Sequence, residues 1–242
     1  MNVRGVLNAL PVQDFEKLGS AKRILVKPNL VHHTNQLAST HVDAVRGVLD
    51  VLRAKTKAPI VVADASYHGT KAAFRNFGYE HLPEEYADVT LVDLNDDETV
   101  PGYYIRKDGS RGEMGFAKTV VDCDFRISLT QMKTHRDAGV TLSVKNWIGA
   151  WVPKARFGLY GKYWPRWPAL HQQGPRAHHE SMAELIAQQR IDLGVIDGFR
   201  WSVLGGQVGV SGGGFAISAG VALVVLALGV RYFRGAERVG AL

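Results

Sequence analysis

Ammonium, amide, carboxylate, hydroxyl and imidazole groups stand where apolar runs of this sequence end: Lys27, Asn29, Asp64, Lys133, Thr134, His135 and Asp197. A lysine neutralises a phosphate or carboxylate, and hydroxyls and amides add neutral hydrogen bonds. An imidazole titrates near neutrality and suits proton transfer. The stretch Lys133 to Gly149 is the most unusual part of the chain, because Thr141, Ser143, Lys145 and Asn146 interrupt an otherwise apolar run. The expected chemistry is a small anionic molecule held by Lys27, Lys133 and Lys145, with hydrogen bonds from Asn29, Thr134, Ser143 and Asn146. His135 is the expected proton-transfer group, with Asp64 and Asp197 orienting it or holding a metal. A strand that turns polar where solvent begins explains any one of these residues; their shared position favours a common site.

Nine histidines raise a metal hypothesis. None of the pairs has the i, i+4 helical spacing of a zinc-protease motif, and no Cys/His finger pattern is present. A metal would have to draw His135, Asp64 and one of His178 or His179 together from separate loops. Scattered surface histidines are the plainer reading.

Strands must carry these residues to one place. Arg23–Asn29, Pro59–Asp64, Val89–Asp93, Phe125–Thr130 and Ile191–Ile196 are short apolar runs that read as buried strands. Between them, His41–Ala54 has Val45, Val48, Leu49 and Leu52 at helical spacing, with Thr40 as its expected cap. Helices are also expected over Val3–Leu18 (broken at Pro11), Thr70–Phe77 and Glu180–Gln189, and Asp108-Gly109 marks a hairpin. Strands alternating with helices predict an α/β fold, a mostly parallel sheet with helices on both faces. In such sheets ligands bind outside the carboxyl ends of the strands, where the polar residues above would gather.

A hydrophobic content of 46% over 242 residues is enough for one full core and excludes a globally disordered chain. The lone Cys123 excludes an internal disulfide and any four-cysteine iron–sulfur cluster within this chain, and suits a reducing cytoplasm. No long apolar run follows Arg4, so a cleaved secretory signal is not expected. The net charge of +6 is local: residues 138–179 hold no Asp or Glu and themselves sum to +6, so the rest of the chain is neutral. A field confined to one stretch points to an anion site rather than a nucleic-acid coat.

Residues 147–176 combine Trp, Tyr and Phe with Lys, Arg and four prolines, which suggests a lid over the ligand. Aromatics beside cations also stack on single-stranded bases, but no RNA-recognition or OB-fold motif accompanies them. Residues 1–199 form the expected α/β domain. A divergent, Gly-rich apolar tail follows over 200–242. Within it, 215–230 is long enough to span a bilayer, so membrane association is the alternative to a cytoplasmic location. Buried sheet elements, or a truncated or frameshifted C-terminus, are further readings of the tail.

Four segments together carry a family resemblance: Ile24-Leu-Val-Lys-Pro-Asn-Leu30, Lys133-Thr-His135, Gly139-Val-Thr-Leu-Ser-Val-Lys-Asn146 and Val195-Ile-Asp-Gly198. They resemble, in the same order, the motifs of the family called domain of unknown function 362, from about Arg23 to Phe199. The resemblance implies an α/β domain without a settled activity. Some members carry ferredoxin-like iron–sulfur modules, and this chain lacks the cysteines for one. The expected function is therefore an enzyme acting on a small anion by metal-assisted or His-dependent proton transfer. A non-catalytic anion or cofactor carrier, or a membrane-tethered interaction protein, stands as the alternative.

Overall fold

The computed structural model describes residues 3–11, 15–135, 138–152 and 166–197. The chain divides into two units, Met1–Ser202 and Val203–Leu242, and all described residues lie in the first. The tail and its 215–230 segment fall outside the described residues, as does 153–165 of the expected lid. Among the described residues no helix is long and apolar enough to cross a membrane.

Two short helices, α1 (Val3–Asn8) and α2 (Glu16–Gly19), lead into strand β1 (Ile24–Lys27). Helix α3 (Val42–Lys55), strand β2 (Ile60–Asp64), helices α4 (Thr70–Asn76) and α5 (Leu82–Glu85) and strand β3 (Val89–Asp93) follow. An antiparallel hairpin, β4 (Thr99–Ile105) and β5 (Arg111–Ala117), comes before α6 (Lys118–Val121) and β6 (Phe125–Gln131). Next come a second hairpin, β7 (Lys133–His135) with β8 (Gly139–Thr141), helix α7 (Ser143–Trp147) and the short β9 (Trp151–Val152). Helices α8 (Arg166–His171) and α9 (Pro175–Gln188) and strand β10 (Leu193–Asp197) complete the described chain.

The main sheet runs β10-β6-β1-β2-β3 with every pairing parallel. Both faces are buried, which is why β1 and β2 read as unbroken apolar runs. Side chains alternate between two cores. Ile24, Val26, Ile60 and Val62 join Val45, Val48, Leu49 and Leu52 of α3 on one face. Leu25, Val61 and Ala63 pack on the other with Met114, Phe116, Trp147 and Trp151. Each such apolar side chain contributes roughly 1.5–3 kcal/mol relative to exposure. The second face is covered by helices and also by the small antiparallel sheet β4-β5-β9.

Three local expectations change. Helix α3 is capped by His41, whose ring accepts from the Asp43 backbone N–H at 3.2 Å. The Thr40 hydroxyl is used elsewhere, accepting from Asn29 N at 2.9 Å and donating to Leu129 O at 3.2 Å, so it braces β1 against β6. Helix α9 begins at Pro175, five residues before the expected Glu180, because proline suits the first helical turn and Gly174 (φ 90°) turns the chain into it. In the expected lid, Trp147 and Trp151 are fully buried core side chains, and 166–171 is helical.

Candidate functional site

The sheet order contains one reversal. The chain moves outward from β1 through β2 to β3, then returns to place β6 on the opposite side of β1. Ligands in open α/β sheets bind at this kind of switch point, outside the carboxyl ends of the strands. A cavity of about 440 Å³ opens there. Its wall includes Lys27 and Asn29 from the end of β1, Asp64 from the end of β2, and Lys133, Thr134 and His135 from the strand after β6. Lys145 and Asn146 reach it from α7.

The floor is a buried ion pair. Lys27 Nζ lies 2.5 Å from Asp64 Oδ1, with side chains 0% and 4% exposed. Lys27 also donates to Asn146 Oδ1 at 3.1 Å and to Pro28 O at 3.3 Å, so its three N–H groups meet three protein acceptors. Asp64 accepts in turn from Leu30 N at 2.7 Å and Ala65 N at 2.8 Å. Charges this deeply buried persist only when paired and fully hydrogen-bonded.

From that pair an amide relay runs outward. Asn146 Nδ2 donates to Lys27 O at 3.1 Å and Ser128 Oγ at 3.0 Å, which fixes its Oδ1 as the acceptor for both Lys27 and Asn29. Asn29 Nδ2 donates to Asn146 Oδ1 at 3.0 Å, leaving Asn29 Oδ1 to accept from Lys133 Nζ. Lys133 Nζ donates as well to Ala38 O. Burial pulls the Lys133 ammonium down to about 8; Asp64 opposes that shift, while the charges of Lys145 and Lys27 add to it.

His135 stands two residues along β7 from Lys133, so both side chains leave the same face of that strand. Its Nδ1 accepts from Ala138 N at 3.1 Å, which puts the proton of a neutral ring on Nε2. The ring stacks on His171 with centroids 5.7 Å apart. His68, also in the cavity wall, has its pKa lowered by burial and by neighbouring His32 and His33.

Four expected site residues lie elsewhere. Ser143 packs against β10, its Oγ being 2.7 Å from where a Cβ on Gly194 would sit. Asp197 is outside the cavity wall; burial pushes its carboxyl up, against the pull of His41. Buried His178 bonds through Nδ1 to Leu170 O at 2.8 Å, and His179 is exposed. Among the described residues no group of three or more His, Cys, Asp or Glu side chains is arranged to hold a metal ion.

Sequence reasoning missed Gly149, Tyr67 and His171 in the cavity wall. Gly149 had no local signal, since its constraint comes from side chains distant in sequence: a Cβ there would meet Lys27 and Asp64. Tyr67 and His171 follow no motif and reach the cavity through tertiary packing.

A family model described as domain of unknown function (DUF362) matches residues 24–216, continuing past Gly198, the last residue of the four motifs. A thylakoid-associated protein of Synechocystis sp. is 24% identical over 187 residues, covering 76% of this chain and 53% of that protein. The lactate racemase apoprotein from Thermoanaerobacterium thermosaccharolyticum is similar in structure, with a TM-score of 0.52 at 13% identity. That similarity covers 79% of this chain and 47% of the other, and it bears on the fold alone. The chain spans about half the length of each of these relatives.

Proposed function

The chain belongs to the DUF362 family, and from that premise we propose that it is an enzyme acting on a small anionic substrate held at the carboxyl edge of the parallel sheet. The observation supporting this reading is the set of lysines in the cavity wall. Among its described residues Asp64 is the one carboxylate, and the Lys27 ammonium lies against it. Lys133 and Lys145 bring two further amino groups to the same wall. In a partly desolvated pocket, clustered cations attract an anion more strongly than surface lysines do.

Within this reading the roles divide. Lys133 and Lys145 face the anion, while Thr141, opposite Lys133 in the hairpin, offers a hydroxyl. Lys27, Asp64 and Asn146 hold the floor rigid rather than touching the ligand. His135, with its proton on Nε2, acts as donor to a developing negative charge. We further infer a cytoplasmic setting, which the lone buried Cys123 supports.

Sulfate is a suitable first probe. Calorimetric titration is expected to show saturable binding that Lys145→Met weakens and Lys118→Met, on the exposed surface, leaves unchanged. Equal binding by all three proteins would refute the anion pocket. Turnover of an identified substrate that His135→Ala abolishes while binding persists separates an enzyme from a carrier.

A further inference from the structure

We propose that Lys133 is a covalent nucleophile, forming an imine with the carbonyl carbon of a small oxo acid whose carboxylate rests against Lys145. The proposal builds on the anion-pocket reading and names the chemistry of the molecule bound there.

The geometry begins with the acceptors around Lys133 Nζ. Two protein oxygens receive its hydrogens, Asn29 Oδ1 and Ala38 O. An ammonium carries three donors, but a neutral amine carries two and a lone pair. Two acceptors therefore satisfy the neutral amine completely and leave its lone pair for the cavity that Lys133 lines. Asn29 cannot turn its amide to offer an N–H instead, because Asn146 fixes its orientation.

The surroundings supply the neutral form. Burial and the nearby charges of Lys145 and Lys27 lower the Lys133 pKa to about 8. Roughly a tenth of the molecules are then neutral at pH 7, against fewer than one in a thousand for an ordinary lysine. Desolvation beside another cation is a known way to activate a lysine amine. Lys27 contrasts with it: deeper in the same cavity, its hydrogens are met by Asp64, Asn146 and Pro28, so it remains an ion.

The bond changes balance without a redox partner. The Nζ lone pair attacks the carbonyl carbon, and the carbonyl π pair moves to oxygen, which accepts a proton from His135 Nε2. The ammonium proton formed on nitrogen in the attack returns to His135. The carbinolamine hydroxyl then takes a second proton from His135 Nε2 and leaves as water while the nitrogen gives its remaining proton back to His135, which ends as it began. Amine and carbonyl thus become imine and one water. His135 is placed for the first transfer by sharing a strand face with Lys133.

Reductive trapping tests this on the full chain. The protein is incubated with glyoxylate or pyruvate and cyanoborohydride at pH 8, and peptides are mapped by mass spectrometry. The expected result is an adduct concentrated at Lys133, diminished by sulfate and at least tenfold weaker in Lys145→Met. Modification spread over exposed lysines, with Lys133 no more reactive than they are, would overturn the proposal. Sulfate binding without trapping removes the nucleophile and keeps the anion pocket. Trapping at Lys133 that sulfate does not reduce keeps the nucleophile and removes the pocket.

Discussion

Gly149 lies against the Lys27 ammonium so closely that a Cβ at 149 would sit 2.7 Å from Nζ and 2.9 Å from Asp64 Oδ1. Neither neighbour can retreat, since both are held by several hydrogen bonds in a packed interior. Gly149→Ala is expected to cost about 1–3 kcal/mol through forced displacement. Sulfate affinity should fall with it. Urea denaturation and titration read the two effects, and a variant as stable and as avid as the parent would show that the floor yields.

Lys27→Met strips a buried carboxylate of its partner. The expected loss is about 3–5 kcal/mol, as for other buried pairs broken on one side. Lys145→Met, changing a part-exposed side chain, should alter stability by no more than about 0.5 kcal/mol. Comparable midpoints for the two variants in chemical denaturation would contradict the saturated ion pair.

Stability should carry the mark of Lys133. Its folded-state pKa of about 8 lies below the ordinary 10.5, so the unfolded chain binds more protons between those values. Stability from this group therefore rises as pH climbs from about 8 towards 10.5, and the full penalty applies below 8. Subtracting the profile of Lys133→Met from that of the parent isolates the effect. A flat difference across the window would mean the amine titrates normally.

Ligand binding should move the opposite way. An anion favours the charged lysine, so sulfate affinity is expected to weaken above about pH 8 as Lys133 loses its proton. Lys133→Arg keeps its charge and should hold its affinity through the same range. A parallel decline in both proteins would assign the pH dependence to another group.

Much of the sheet was legible because its strands are buried on both faces and written as apolar runs. Val89–Asp93 matched residue for residue, and the polar ends of β1, β2 and β6 did converge. Lys27, Lys133, His135 and Asn146 were visible as chemistry on a strand end or in an unusual run. What they bond to was not. Lys27 and Lys133 are the same residue type on the same sheet edge. One is a saturated ion and the other an amine that gives up its proton more readily, a difference set by Asp64, Asn146, Asn29 and Ala38 from four separate segments. The hairpin of β7 and β8 escaped notice because its strands are three residues each and the second opens on Gly139 at φ 73°. Ser143 was chosen from the polar run after Lys133 and Asp197 from a strand end, and neither position fixes which side of an element a side chain leaves.

The relay from Asp64 to Lys133 also bears on the order in which the molecule forms. Its bonds join positions 37, 119, 117 and 104 residues apart, so no part of it can close locally. Each closure costs chain entropy before the contact repays it. On the ribosome, Lys27 and Asp64 emerge well before Asn146, and until then the amide that later joins them to Lys133 has not been made. The pocket thus closes only after four strands of the sheet exist, and a nascent chain stalled before α7 would have β1, β2, β3 and β6 but no place for a ligand.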